Sequence, residues 1–273
     1  MAILTTFSRV LFVVGLLCVP EVAAAQGQAW EKTVTPFAPG SFPDVRPARV
    51  HYNFGWAGFS AATADIRLEK LGNRFQILAS GKTVGLARGL WSYELQHKSF
   101  SAAPTLRPIQ VKEVERTRSK QVTTELTFSP EGVTSAREER KGEKVSLKTR
   151  RFEFPNVLSL TSALLFLRGQ PLPDGAVERV VVYPATSAYL CTMTVVGRER
   201  LTVPAGTYEA IKLDGQLSKI GKDRELLPYK KFSKATVWLS NDADRLLLRI
   251  EAQIFLGKVF TELQSVQFDK SKP

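Results

Sequence analysis

Alternation with a period of two runs through most of this sequence. Val50, Tyr52, Phe54 and Trp56 alternate with His51, Asn53 and Gly55. Ala62, Ala64, Ile66 and Leu68 alternate with Thr63, Asp65, Arg67 and Glu69, after which Gly72-Asn73 turns the chain into Phe75-Gln76-Ile77-Leu78. Val145 and Leu147 alternate with Lys144, Ser146 and Lys148 beyond the turn candidate Lys141-Gly142, and Tyr189, Cys191, Met193 and Val195 share one parity up to Gly197. Further strands are predicted near Glu209–Leu217, Ala235–Leu239, Leu246–Ile254 and Val259–Phe268, with Asn241-Asp242 and Leu256-Gly257-Lys258 as turns. Successive side chains of a strand point to opposite faces, so these segments bury one face and wet the other. Short turns between them mean antiparallel pairing, in a sheet of about ten strands.

One stretch breaks the period. Residues 156–168 read as a helix, with Asn156 as N-cap, Gly169 just past the end and Pro171 beyond it. Val157, Leu158, Leu160, Ala163, Leu164, Leu165, Phe166 and Leu167 occupy nearly its whole circumference, and a helix apolar all round must be buried on several sides. A shorter helix is predicted at Leu86–Leu90. The expected fold is therefore mainly β: a strongly curved antiparallel sheet or partial barrel packed around one apolar helix.

The N-terminus reads as a secretory signal. Arg9 precedes the apolar run Val10 to Val19, Pro20 breaks it, and Ala23-Ala24-Ala25 offers the small residues of a cleavage site, with the cut after Ala25. Ten helical residues span only about 15 Å of a ~30 Å hydrocarbon core, so no transmembrane segment is expected after cleavage. Residues 26–48 hold Pro36, Pro39, Pro43 and Pro47 and show no apolar period, which reads as an extended or mobile lead-in. Residues 49–273 read as a single β-rich domain.

Composition narrows the chemistry. Lysine and arginine outnumber aspartate and glutamate 38 to 26, a net charge of +12 that points to an acidic partner. Export argues against nucleic acid, so the partner expected is an anionic lipid, glycolipid or envelope polymer. Two histidines and two cysteines leave little room for a metal or disulfide framework, and no cofactor is expected. Cleavage removes Cys18, and Cys191, sharing a face with Tyr189 and Met193, reads as a buried inert thiol.

Three features carry a family resemblance: the aromatic and glycine-rich segment Tyr52 to Gly58, the helix end Leu165-Phe166-Leu167-Arg168, and Val203-Pro204-Ala205-Gly206-Thr207-Tyr208 followed by Val237-Trp238-Leu239-Ser240-Asn241-Asp242 and the Gly257 strand. Together they span Arg49 to Gln267 and resemble the bacterial exported family called domain of unknown function 3108. Asn156-Val157 departs from that family's pattern, which has an aspartate there. The resemblance implies an envelope protein with a β-rich fold similar to lipoprotein-carrier half-barrels, and it supplies no reaction.

Catalytic motifs are mostly absent. Gly58-Phe59-Ser60-Ala61-Ala62 lacks the final glycine of a nucleophile elbow, and there is no phosphate loop, dinucleotide fingerprint, His-Glu-x-x-His or Cys-x-x-Cys. His51 reads as a surface or hydrogen-bonded residue, and Asp242 and Asp244 read as turn chemistry. The chain is read as not an enzyme, with a hydrolase using Asp242, Asp244 or Glu251 as the weakest option.

Basic residues are concentrated. Between Arg107 and Arg151, twelve bases face seven acids. Lys112, Arg116, Arg118 and Lys120 share a parity, as do Lys144, Lys148 and Arg150, so if their strands are neighbours seven cations tile one sheet face. A second cluster, Lys219, Lys222, Arg224, Lys230, Lys231 and Lys234, falls in a loop. Arg168 at the helix end reads as a dipole partner or as an anion ligand at a cavity mouth. Trp56, Phe59, Trp91 and Phe166 are the aromatic candidates for that cavity. The expectation is a non-enzymatic envelope protein that holds an anionic amphiphile in its curved sheet. The alternative is a structural or adaptor protein with a filled core that docks on an envelope polymer or protein.

Overall fold

A computed structural model describes residues 29–38, 40, 45–56, 58–228, 235–254 and 257–269. The predicted signal, residues 1–25, and Lys230, Lys231 and Lys234 lie outside the described residues. The alternating segments are strands: β1 (Ala48–Trp56), β2 (Phe59–Leu71) and β3 (Arg74–Thr83) come first, followed by a short helix α1 (Gly85–Leu90). Then come β4 (Tyr93–Ala102), β5 (Pro108–Thr117), β6 (Gln121–Ser129), β7 (Gly132–Lys141) and β8 (Lys144–Glu153), and a second helix α2 (Leu160–Arg168). The rest is β9 (Val177–Val182), β10 (Tyr189–Val203), β11 (Gly206–Ile220), β12 (Leu226–Pro228), β13 (Ala235–Ser240), β14 (Leu247–Ile254) and β15 (Gly257–Phe268).

All belong to one sheet, in the order β8-β7-β6-β5-β4-β3-β2-β1-β15-β14-β13-β11-β10-β9, with β12 beside β11. The β2–β3 and β7–β8 turns place Gly72 and Gly142 at φ of 56° and 57°. Both are the first central residue of a two-residue hairpin loop, where a left-handed backbone matches the strand twist and favours glycine.

The expectation of a strongly curved, lipoprotein-carrier-like sheet or partial barrel packed around one apolar helix is overturned. The sheet is open, because its terminal strands β8 and β9 do not pair with each other. The helix is also shorter and less apolar than predicted. Asn156 takes a left-handed φ of 58°, Leu158 bridges to Val182, and the N-cap is Ser159, which accepts from Ser162 N–H. Thr161 and the fully buried Ser162 give α2 a polar side, hydrogen-bonded to Ser99 and Ser101 of β4.

Strand side chains supply most of the core instead. Val111, Leu126 and Val133 from one half of the sheet share a cluster with Val181, Leu190 and Ile220 from the other. Leu165, Phe166 and Leu167 of α2 are buried, but against three different clusters. The helix is a wall of the core and not its centre.

Residues of the predicted lead-in belong to this packing. Trp30 is buried, stacks on Phe154 at 5.4 Å and donates its indole N–H to Arg224 O at 2.8 Å. Thr35 N–H donates to Arg179 O, and Phe37 stacks on Phe166. Edge strand β9 is thus covered by this segment and by Leu158. On β8 every residue but Phe152 is exposed.

Candidate functional site: a basic trough on the outer face

Antiparallel register turns single polar positions on separate strands into rows. On the face away from the core clusters, Gln267, Arg49, Arg67, Leu78, Lys98 and Lys112 are successive partners across β15, β1, β2, β3, β4 and β5. The neighbouring row runs Ser265, His51, Asp65, Ser80, Gln96 and Val114. These two rows floor a depression of about 780 Å³. At about 4.8 Å between strands, the four cations extend over about 19 Å.

The electrostatics of the floor are unusual. Arg49 stands directly opposite Arg67, and Lys98 directly opposite Lys112, with Leu78 between the two pairs. Like charges directly opposite one another are destabilising. Arg67 meets Glu69 at 2.7 Å and Lys112 meets Glu125 at 2.7 Å, and that hydrogen bond and charge hold the Lys112 ammonium above the usual lysine range. Lys98 lies over the Phe100 ring at 5.0 Å, and neither it nor Arg49 has an ion pair among the described residues. His51 Nδ1 is 2.9 Å from Asp65 Oδ1. The arrangement can hold an anionic group by charge and hydrogen bonds. Among the described residues there is no cluster that could hold a metal ion.

The seven predicted cations do not form one face. β6 and β7 separate β5 from β8, and register pairs Lys112 through Glu125 and Ala136 to Thr149, while Lys148 lies with Arg137, Thr124 and Glu113. Lys112 and Arg116 are therefore on the outer face, and Lys144, Lys148 and Arg150 are on the side that bears Phe152 of the core. The parity argument also fails at Arg118 and Lys120, because β5 ends at Thr117, whose N–H bonds Lys120 O in a turn. Arg118 donates to the carbonyls of Arg88 and Gly89, Lys120 meets Glu139 at 3.2 Å, and Arg150 donates to Thr186 O.

Arg168 lies outside the trough. It donates to Asp244 O at 2.5 Å, and desolvation pushes its guanidinium below the usual arginine range against the opposing pull of Tyr52, Asp244 and Asp242. The aromatic candidates are dispersed. Phe166 is buried under Phe37, Trp91 stacks on Tyr93, Trp56 pairs with Phe59 at the far end of the sheet, and Phe59 is exposed.

Asp242 accepts from Ser240 Oγ, Asp244 N–H and Arg245 N–H, and Asp244 holds Arg46. Both are engaged in the turn and its packing, and Glu251 is paired with Arg249 and Lys258. Burial pushes the Cys191 thiol up to about 12. In the second basic cluster, Arg224 reaches Glu31 and Glu153 O and so ties the N-terminal segment to the sheet. Of the residues predicted, Lys112 alone belongs to the trough. Arg49, Arg67 and Lys98 were missed because each looks like an ordinary wet-face residue on its own strand.

Fold and site together define a β-rich protein built on one open antiparallel sheet, with a basic trough on its outer face. Among the described residues, no helix is long and apolar enough to cross a membrane. The chain belongs to the family described as "Protein of unknown function (DUF3108)", which matches residues 48–264. No curated protein matches it in sequence. Its fold is similar to the crystal structure of a β-barrel-like protein of domain of unknown function DUF1849 from Brucella abortus, at 8% identity and a TM-score of 0.56, covering 84% of this chain and 100% of that one. A protein described as exported, with a YmcC-like fold, from Bacteroides fragilis matches at 8% identity and a TM-score of 0.35 over 83% of this chain and 98% of that one. A protein described as a lipoprotein, from Parabacteroides distasonis, matches at 10% identity and a TM-score of 0.33 over 84% and 99%.

Proposed function

We propose that this exported protein is a non-enzymatic component of the bacterial envelope that binds the anionic head group of a lipid or glycolipid in the trough. Ala23-Ala24-Ala25 after the apolar run directs it to the envelope, where anionic head groups abound. One observation carries the reading: two like-charge pairs, Arg49–Arg67 and Lys98–Lys112, lie in one row of the floor. Glu69 and Glu125 offset Arg67 and Lys112, while Arg49 and Lys98 have no carboxylate among the described residues, so a ligand anion that spans the row is favoured by charge and by relief of the repulsion that remains. The amphiphile's apolar part is not enclosed by the sheet in this reading; it lies over Leu78 and Val114 or stays in its membrane.

The test is titration calorimetry with short-chain phosphatidylglycerol below its micelle concentration, with short-chain phosphatidylcholine as control. Arg49→Glu with Lys98→Glu should reduce phosphatidylglycerol affinity by more than about tenfold, since each cation near an anionic lipid contributes roughly 1 kcal/mol. Equal binding of both lipids, or no effect of the double variant, sinks the proposal. The adaptor reading would then take its place, supported by the edge of β8, which pairs with no further strand among the described residues and offers backbone donors and acceptors to a partner strand.

A further inference from the structure

The two ends of the sheet differ in what they expose. At one end the chain turns between Trp56 and Phe59 and at residues 84–92, 118–120 and 142–143, as the pairs Trp56–Phe59, Ala62–Thr83, Tyr93–Thr117 and Lys141–Lys144 require. Large apolar side chains here are uncovered: Phe59 is 72% exposed, Leu86 85% and Leu90 71%, with Val145 beside the β7–β8 turn at 53%. Single exposed apolar residues are ordinary, but a group of them at one end of a chain marks an interaction site. Leu86 and Leu90 are four residues apart and share one face of α1, a helix with no buried residue.

The exposed helix is nevertheless held in place. The Arg118 guanidinium donates to Gly89 O at 2.6 Å and to Arg88 O at 3.4 Å, and Arg88 pairs with Glu94 at 2.9 Å. Val84 N–H bonds Ala61 O at the start of the segment. The leucines are thus presented on a fixed platform.

The unpaired charges around them are mostly positive. Lys82, Arg116, Lys141 and Lys144 have no carboxylate partner among the described residues. The carboxylates of Glu94, Glu138 and Glu139 are each taken by an ion pair, which leaves Glu143 in the β7–β8 turn. Apolar tips ringed by unpaired cations match an anionic bilayer, whose surface attracts the cations while its acyl boundary accepts the apolar side chains. An apolar pocket on a protein would have to meet those cations as well.

We propose that this end of the sheet docks on an anionic lipid bilayer, with Phe59, Leu86 and Leu90 entering the acyl boundary and Arg116, Lys141 and Lys144 contacting head groups. Its apolar tips are distinct from the trough, which begins about six residues, or about 20 Å, beyond Phe59 along β2, although Arg116 stands only two residues, about 7 Å, from Val114 of the trough; the docking does not depend on the trough being a binding site.

The experiment uses the full mature chain with an environment-sensitive dye on Gly89→Cys, where an added side chain meets nothing within 4 Å. Cys191, which is only half-buried, is replaced by alanine in both labelled proteins so that the dye reports the introduced cysteine alone. Thr105→Cys, exposed in the turn at the opposite end, is the control. Vesicles of phosphatidylglycerol mixed with phosphatidylcholine should brighten and blue-shift the dye at position 89 and leave it unchanged at position 105. Pure phosphatidylcholine vesicles should have little effect at either. Leu86→Ser with Leu90→Ser, and separately Lys141→Glu with Lys144→Glu, should each lower vesicle partitioning by more than about tenfold at low salt. The inference is overturned by silence at position 89, by equal responses at both positions, or by a full response to pure phosphatidylcholine. It is also overturned if Lys98→Glu in the trough abolishes vesicle binding while the end variants bind as wild type does.

Discussion

Arg49 and Arg67 stand directly opposite each other in the β1–β2 ladder, and among the described residues only Arg67 has a carboxylate, Glu69 Oε1 at 2.7 Å. Like charges directly opposite one another destabilise a ladder. Arg49→Gln should therefore leave the urea midpoint unchanged or raise it slightly, while phosphatidylglycerol binding weakens. A fall of more than about 1 kcal/mol in stability would show instead that Arg49 contributes to the fold.

The N-terminal segment should contribute to stability. Trp30 is 7% exposed, stacks on Phe154 and bonds Arg224 O. Truncating a buried tryptophan costs about 3–5 kcal/mol, a large part of a typical 5–15 kcal/mol. Urea denaturation of Trp30→Ala should show a loss of that size. A loss under 1 kcal/mol would mean that the segment merely lies on the surface.

Glu199 accepts the indole N–H of Trp238 at 2.6 Å and pairs with Lys212 at 3.2 Å. The Trp238 hydrogen bond, followed by Lys212, holds the Glu199 carboxyl below its ordinary value of 4.5. A carboxylate depressed in the folded state binds fewer protons there than in the unfolded chain. Its stabilisation is present above the unfolded value and is lost as pH falls through the folded one. Glu199→Gln should flatten the stability profile below about pH 4.3 and leave its shape at neutral pH alone. Thermal melts of both proteins between neutral pH and pH 3 provide the check, and identical acid limbs would contradict it.

Protein purified from its host envelope should begin at Gln26, because Ala23-Ala24-Ala25 follows the apolar run. Edman sequencing or intact-mass measurement decides this. A chain that retains residues 1–25, or begins at a lipid-modified Cys18, would reverse the reading.

Local features were legible in the sequence. The alternation from Val50 to Trp56 and from Ala62 to Leu68, the turn at Gly72-Asn73 and the short helix near Leu86 all have counterparts in β1, β2, the β2–β3 hairpin and α1. The start of α2 was misread, since Asn156 is a good cap residue but Leu158 was recruited as a bridge partner of Val182, which leaves the cap to Ser159. Trp30 gave no periodic signal because it docks as an isolated aromatic with no alternating apolar neighbours. For the site, parity correctly put Lys112 and Arg116 on one side of β5 and Lys148 and Arg150 on one side of β8. It could not say that these are opposite sides of the sheet.

Residue order alone determined which side chains share a face within a strand, where the hairpins turn and how basic the surface is. Side-chain direction in a strand is local geometry with a period of two, and turn chemistry is set by a few adjacent residues. Which strands become neighbours, and in what register, was decided by the tertiary structure. Pairing strands as distant as β1 and β15 depends on the joint packing of clusters drawn from the whole chain. Arg49, Arg67, Lys98 and Lys112 form a row because of that pairing, and a one-residue slip in any of the strands between them would turn the cations beyond it to the opposite face.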